Sequence, residues 1–334
     1  MDKQRVGIIG LGWVAQVFHL PILASFKDIE VTAVCDRNQE QSRAIASRFN
    51  IPSHYNDYEK MLKEGDFEAV IVCTSTDAHL PVAKAVMESG RDVFVEKPVA
   101  RLYNEAVELA EIAKAQKRKL MVGMNNRFRP DTMILKSFIE KGELGKVFYC
   151  KAGWFKRISS NDHWLTKKDY SGGGVLLDLG IVMLDLALWM LNFPSVNRVK
   201  ATTFKHKTHS VEDSALLYVE AKQGASIMIE TSWSFQSEND FFYCDFMGSE
   251  GSAKINPLRI NKQLHGSLVN VTPAKIETPQ NLHKKSYENE IRHFLGAVRG
   301  LHPVLSTVDE AVKRMAIVEA AYRSAKLGRE VLLK

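Results

Sequence analysis

Lys97 lies in the tripeptide Glu96-Lys97-Pro98, directly after the run Asp92-Val93-Phe94-Val95. A lysine at that spacing stands at the end of a buried strand, on the carboxyl edge where doubly wound sheets hold their ligands. An amine there can take up or return the proton of a hydroxyl. The plainer alternative is a solvated loop lysine, the usual fate of this residue type. Pro98 keeps Lys97 out of the helical region. The segment Thr74-Ser75-Thr76-Asp77-Ala78-His79 ends another such run, Ala69–Cys73. Its hydroxyls, with the N–H groups of a following helix, suit a phosphate or the nicotinamide side of a cofactor, or they simply cap that helix. Asn125, in Gly123-Met124-Asn125-Asn126-Arg127-Phe128, closes a third run, either within reach of a reacting centre or as part of an inter-domain hinge.

Further along, Gly172-Gly173-Gly174 precedes an apolar helical stretch that carries Asp178 and Asp185. Three glycines let a backbone pass close to something flat, and the two aspartates lie two helical turns apart. An aspartate in so apolar a helix needs a partner, so a buried, paired structural role is the alternative to chemistry. His163 belongs to a polar loop, from Ser159 to Tyr170, where exposure is commoner than catalysis. The other histidines show no metal-ligand spacing, and no metal is expected.

The first chemistry-bearing motif in the chain is Gly10-Leu11-Gly12-Trp13-Val14-Ala15, placed directly after the run Val6-Gly7-Ile8-Ile9. In that context the pattern is a dinucleotide fingerprint. Gly10 permits the sharp turn, Gly12 lets the backbone approach a pyrophosphate, and Ala15 lets the helix pack on the strand. Asp36 ends the second strand at about the distance, ~20 residues, at which an acid holds the adenosine ribose. It favours NAD over NADP, while Arg37 can stack on adenine or partly neutralise an added phosphate.

The elements that must position these residues follow from periodicity. Strands Val6–Ile9, Val31–Cys35, Ala69–Cys73, Asp92–Val95 and Leu120–Val122 alternate with helices that begin near Trp13, Gln39, Asp57, His79 and Leu102, the signature of βαβ units and a parallel sheet. After Asn125 the pattern predicts a helix over Asp131–Lys141, a strand over Lys146–Phe155 and a helix over Val175–Leu191. Strands without intervening helices follow: Arg198–Phe204, Ser214–Glu220, Ser226–Ser234, Phe241–Met247, Gly251–Asn256 and Val269–Thr272. They imply an antiparallel sheet. Helices Tyr287–Arg299 and Thr307–Lys326 and a strand Glu330–Leu333 close the chain.

The expected architecture is an α/β Rossmann domain over residues 1–124. An α+β domain with a large open, mostly antiparallel sheet, for substrate binding and oligomerisation, is expected over 125–334. A length of 334 residues suits two domains. The net charge of +6 is spread among acids and fits an anionic cofactor or substrate better than nucleic acid. Four separated cysteines, Cys35, Cys73, Cys150 and Cys244, read as reduced core residues. No stretch of about 18 unbroken apolar residues suggests a membrane span, and with a strand reached by Val6 no leader peptide is expected, so the location expected is the cytoplasm.

These motifs in this order resemble the glucose–fructose oxidoreductase/inositol dehydrogenase (Gfo/Idh/MocA) family, over almost the whole chain. The matching segments are Gly10–Ala15, Glu96-Lys97-Pro98, Gly123 to Pro130, Gly172 to Asp185 and Tyr287 to Arg329. The resemblance implies NAD(P)-dependent oxidation or reduction of a sugar, cyclitol or related hydroxyl, and a homodimer or homotetramer formed through the second sheet. It implies that Lys97 relays the hydroxyl proton, that Asp178 faces the substrate, and that Asn125 and His79 lie near the nicotinamide. One position departs: the histidine, or in some branches tyrosine, four residues after the aspartate is Val182 here. Lys97 with a lowered pKa, His163 or Tyr170 from the loop, or Asp178 then has to move the proton, and Lys97 is preferred. The alternatives to a dehydrogenase are a non-catalytic NAD(P)-binding regulator and an enzyme that retains NAD for epimerisation or glycosidic elimination.

Overall fold

Val6, Ile8, Val70, Ile71, Val72, Val93, Phe94 and Val95 are all shielded completely from solvent, because continuous apolar runs of this kind are covered on both faces in a parallel sheet. The strands are β1 (Gln4–Ile9), β2 (Ile29–Cys35), β3 (Ser53–Tyr55), β4 (Ala69–Val72), β5 (Asp92–Val95) and β6 (Leu120–Val122). In the computed structural model, which describes residues 3–157, 164–274 and 281–333, they pair in parallel in the order β3-β2-β1-β4-β5-β6. That is the doubly wound order, whose direction reverses between β1 and β4 and opens the ligand crevice there.

Five helices connect the strands: α1 (Ala15–Ser25), α2 (Gln39–Phe49), α3 (Tyr58–Glu64), α4 (His79–Glu88) and α5 (Tyr103–Gln116). The first differs from the regular helix expected. Its opening segment, Ala15–His19, is a π-turn that turns Ala15, Phe18 and His19 all toward the interior. Asn38 caps α2, its side chain accepting from the N–H groups of Glu40 and Gln41.

The remaining helices are α6 (Pro130–Glu140), α7 (Lys168–Ser171), α8 (Ile181–Met190), α9 (Leu282–Val298) and α10 (Val308–Leu327). A second π-turn, Leu176–Gly180, leads directly into α8. All ten residues of α8 are buried. By length and composition alone Lys168–Met190 is apolar enough to cross a bilayer, but 94% of its most apolar window is packed inside the structure.

The second sheet has nine strands: β7 (Val147–Phe155), β8 (Val196–Phe204), β9 (Ser214–Ala221), β10 (Ser226–Ser232), β11 (Phe241–Gly248), β12 (Gly251–Ile255), β13 (Arg259–Leu264), β14 (Ser267–Asn270) and β15 (Val331–Leu332). Their order is β14-β13-β12-β11-β7-β10-β9-β8-β15. All pairs are antiparallel except β7 with β10, which run parallel. Alternation sets the two faces: Cys150, Ala152, Leu217, Val219, Ile227, Ile229, Cys244 and Phe246 point inward, while Leu216, Met228 and Met247 are exposed.

The chain divides into two units, Met1–Asn125 with Lys284–Val312, and Asn126–His283 with Lys313–Lys334. Lys284–Val312 thus groups with the first unit and not with the sheet that precedes it in the chain. There Phe294 packs on Phe94 with ring centroids 5.6 Å apart, and Val122 donates its N–H to the Ser306 carbonyl. Helical periodicity says nothing about which sheet a helix will cover, which is why the return is invisible locally.

Candidate active site

The fingerprint turn is fixed from behind and open in front. Gly10 has φ +89°, and a Cβ on it would stand 2.5 Å from the Cys73 carbonyl carbon, so no larger residue fits where the chain leaving β1 passes the chain leaving β4. A Cβ on Gly12 would meet nothing within 4 Å. The Leu11 carbonyl accepts the side-chain amides of Gln16 and Gln41, at 2.7 and 2.6 Å. The Leu11 N–H donates to Asp36 Oδ2 at 2.9 Å, and the Asn38 N–H donates to Oδ1 at 3.0 Å. Asp36 is thereby locked at the end of β2, and each of its oxygens has further acceptor capacity for ribose hydroxyls. Val14 precedes the π-turn without a side-chain cap, Trp13 is 65% exposed, and Arg37 is exposed.

Beyond β4 the chain makes a short 3₁₀ turn, Thr76–Ala78, before α4, and no side chain caps either start. Simple capping by Ser75, Thr76 or Asp77 therefore does not explain these residues. Instead Thr74 Oγ1, Thr76 Oγ1 and Asp77 Oδ1 are buried without a hydrogen-bond partner among the described residues. Buried polar atoms are rarely left so, and this cluster, on the chain that passes against Gly10, fits a bound dinucleotide. His79 differs from expectation. It is 1% exposed, and its ring nitrogens face the Pro98 and Thr74 carbonyl oxygens at 2.7 and 3.1 Å. Burial lowers its pKa, and the two carbonyl contacts oppose this only partly. The neutral imidazole donates to one of these carbonyls, and both its ring nitrogens are turned to main-chain oxygens of the loops after β4 and β5 rather than to a ligand.

Glu96 and Lys97 follow β5. Glu96 is buried, and its Oε1 lies 2.7 Å from His19 Nε2. Its Oε2 accepts the Lys97 N–H at 3.3 Å. Burial pushes the Glu96 carboxyl upward, but the His19 bond and the Lys97 ammonium outweigh it and hold the group below the usual carboxylate range. Glu96 is thus an anchor for the Lys97 main chain, and Lys97 itself is half-buried at the edge. Asn125 Nδ2 donates to Ser286 Oγ at 2.9 Å, and Met124 N–H donates to Glu290 Oε1 at 2.6 Å, so the returning helix α9 holds the segment after β6.

In the other unit Asp178 lies in the π-turn before α8, and Trp233 Nε1–H donates to its Oδ2 at 3.1 Å. Thr231 Oγ1 and Ser234 Oγ, on either side of Trp233, are buried without partners among the described residues. Val182 is 4% exposed, a helix residue with no proton to give or take. Asp185 is the buried, paired aspartate: Arg127 grips it at 2.8 and 2.6 Å and Arg314 at 2.5 Å. Burial raises its carboxyl, yet the two guanidiniums hold it below the ordinary range. The glycines before Asp178 serve the scaffold. A Cβ on Gly173 would collide with the Tyr322 hydroxyl and one on Gly174 with the Glu212 carbonyl, so the flat partner is Tyr322. Glu212 Oε1 accepts the N–H groups of Gly174 and Leu176 and the Tyr322 hydroxyl, tying down the start of the turn that carries Asp178. Tyr170 is 44% exposed, and His163 lies outside the described residues.

Among the described residues no group of three or more His, Cys, Asp or Glu side chains is placed to hold a metal ion. The four cysteines are free, and burial pushes the Cys35 thiol up to about 12.

The family model for the Gfo/Idh/MocA oxidoreductases, NAD-binding Rossmann fold, matches residues 4–124, and the model for their C-terminal alpha/beta domain matches 136–333. The chain belongs to this family. It is an NAD-dependent dehydrogenase. Among similar Gfo/Idh/MocA proteins, D-glucoside 3-dehydrogenase of Escherichia coli is 30% identical over 347 residues, covering 98% of this chain and 97% of the relative. Inositol 2-dehydrogenase/D-chiro-inositol 3-dehydrogenase of Lactiplantibacillus plantarum is 22% identical, covering 88% of this chain and 83% of the relative. The crystal structure of GenD2, from gentamicin A biosynthesis in complex with NAD, superposes with a TM-score of 0.86 at 26% identity, covering 100% of this chain and 97% of that one.

Sequence reasoning on this Gfo/Idh/MocA chain missed His19, Trp233, Glu212, Ser286 and Glu290. For His19 a signal existed, a histidine within the apolar run Val17-Phe18-His19-Leu20, since a buried ring must find a partner. The others act through contacts across more than 30 residues of chain, and no local pattern announces them.

Proposed function

We propose that the enzyme oxidises a CH–OH group of a sugar, cyclitol or sugar derivative, or reduces the corresponding carbonyl, with Lys97 as acid/base. The observation that carries this is the placement of Lys97 at the carboxyl edge of the parallel sheet with its main chain anchored by Glu96. The names of the glucoside and inositol relatives supply the substrate class. NAD, when bound, supplies a two-electron acceptor for the carbinol hydride. Gly10, Gly12, Trp13, Val14 and Ala15 form its pyrophosphate turn, Asp36 and Arg37 meet its adenosine end, and Thr74, Ser75, Thr76 and Asn125 line its path, with His79 as their brace. As the carbinol C–H bond breaks and the carbonyl forms, Lys97 as the free amine takes the hydroxyl proton and becomes the ammonium; in reduction the ammonium returns it. Asp178, held by Trp233, orients substrate hydroxyls. The enzyme acts in the cytoplasm as a homo-oligomer formed through the exposed apolar face of the nine-stranded sheet, a state that light scattering reads directly.

The test is NAD reduction, followed by absorbance, over a panel of glucosides, free sugars and inositols. Wild type turns over at least one, and Lys97→Ala loses about 100- to 10,000-fold in kcat. Full activity of Lys97→Ala sinks the assignment. Val182 favours a second reading, a non-catalytic NAD-binding regulator, for which tight NADH binding with no turnover across the panel is the deciding result. Cofactor that copurifies and survives dialysis points instead to an enzyme that recycles its NAD.

A further inference from the structure

The geometry points to His19 as a positioning residue for Lys97, acting through Glu96. The inference rests on the reading of Lys97 as acid/base and adds to it the device that aims the lysine.

The argument begins in the π-turn. One extra residue in a helical turn changes which side chains share a face, and such turns cluster at functional sites. Here it buries both Phe18 and His19. The His19 ring is fully buried and held edge-on by Phe94 and Tyr287, each with its ring centroid 5.7 Å away, so it cannot swing to another partner. Its Nε2 meets Glu96 Oε1 at 2.7 Å. Glu96, held below the usual carboxylate range, is an acceptor there, so Nε2 carries the hydrogen.

The carboxylate is confined on its other side as well. Oε2 accepts the Lys97 N–H, and a Cβ on Gly123 would stand only 3.2 Å from it. Glu96 is therefore held between the imidazole of α1 and the Lys97 N–H, with Gly123 just after β6 leaving room for no side chain beside it, and this clamp fixes the Lys97 main chain. The remaining ring atom makes a second, independent point: His19 Nδ1 is buried without a partner among the described residues. An apolar side chain would avoid that cost. A histidine is retained there for the hydrogen bond that its other nitrogen makes.

Misplacing a reacting group by about 1 Å costs up to about 100-fold in rate. The experiment uses His19→Leu, which removes the donor, His19→Gln, whose amide N–H can reach Glu96, Lys97→Ala and the double variant. Each is assayed with NAD and the best substrate of the panel. NADH affinity is read by fluorescence, and the Lys97 amide and His19 ring nitrogens by NMR of the cofactor-free protein. His19→Leu loses roughly 10- to 100-fold in kcat, with KM and NADH affinity within about 3-fold, and shifts the Lys97 amide; His19→Gln recovers most of the loss.

Adding His19→Leu to Lys97→Ala costs nothing further, because the two act as one unit. Independent, multiplying losses in the double variant, or equal activities of the Leu and Gln variants, overturn the positioning role while leaving Lys97 as the base. A fully active Lys97→Ala overturns both. If His19→Leu does not fold, the wild-type ring decides: hydrogen on Nε2 supports the clamp, and hydrogen on Nδ1 alone overturns it.

Discussion

The edge of the parallel sheet and the core beneath α8 treat buried polarity in opposite ways. Around α8 each buried carboxylate has its partners: Asp185 two guanidiniums, Glu212 a phenol and two peptide N–H groups, and Asp213 the N–H groups of His206, Lys207 and Thr208. At the sheet edge, Thr74, Thr76 and Asp77 each leave a buried oxygen without a partner among the described residues. An unmet buried polar group costs about 1–3 kcal/mol. The carboxylates around α8 are met in full while these edge oxygens are not, which is what a surface kept for a ligand to satisfy requires. Thr231 and Ser234 repeat the edge pattern beside Trp233 and Asp178.

The comparison is broken most directly at Asp185. Asp185→Asn leaves two buried guanidiniums uncompensated and is expected to cost about 3–5 kcal/mol, read by urea unfolding. A loss below about 1 kcal/mol would mean the triad is not scaffold.

At the edge, Asp36→Asn removes charge from an acceptor of ribose hydroxyls. Bonds to charged groups are worth about 1.5–3 kcal/mol, so NAD affinity by titration calorimetry falls by about 10- to 100-fold and the preference over NADP narrows. Unchanged discrimination refutes the role of Asp36.

Acid sharpens the contrast further. The Asp185 carboxyl is held below 3.8, its ordinary value, so its stabilisation is present above that value and is lost as pH falls through its lower folded value. Wild-type stability therefore drops as the pH is taken from about 5 to below 3, whereas Asp185→Asn lacks that part of the slope; parallel pH curves would refute this.

The smallest effect is the most discriminating. Thr76→Val removes a buried hydroxyl with no described partner, so unfolding stability of the cofactor-free protein is unchanged or rises by up to about 1–3 kcal/mol, while NADH binding weakens several-fold. A stability loss above about 1 kcal/mol would show that the hydroxyl is structural and collapse the distinction.

Most of the nucleotide-binding unit was legible, because its strands are unbroken apolar runs and its first turn carries glycines at positions that backbone geometry demands. β5 and β6 fall where periodicity puts them, over Asp92–Val95 and Leu120–Val122. The three-residue edge strand β3 and the polar strand β13 were not foreseen, since β3 has no fully buried residue and β13 buries only Ile260. The parallel pairing of β7 with β10 was equally hidden, because alternation specifies a face and not a neighbour. In the proposed site, residue types pointed to Lys97 and Asp178, but the neighbours that hold these segments were silent: His19 reaches Glu96 across 77 residues and Trp233 reaches Asp178 across 55. His79 shows the converse, a polar residue at the right address whose nitrogens the main chain consumes.

The return of Lys284–Val312 to the first unit has a consequence for the order in which the molecule is made. Phe94 and the N–H of Val122 wait for Phe294 and Ser306, and Met124 waits for Glu290. Synthesis runs at about 5–20 residues per second, so the nucleotide-binding unit, begun first on the ribosome, stands incomplete for roughly 10–40 s while the whole nine-stranded sheet except its last short strand is translated. The strands of the first unit are encoded before the second sheet and completed only after it, which leaves the flank that α9 will cover open to chaperones and proteases in the nascent chain.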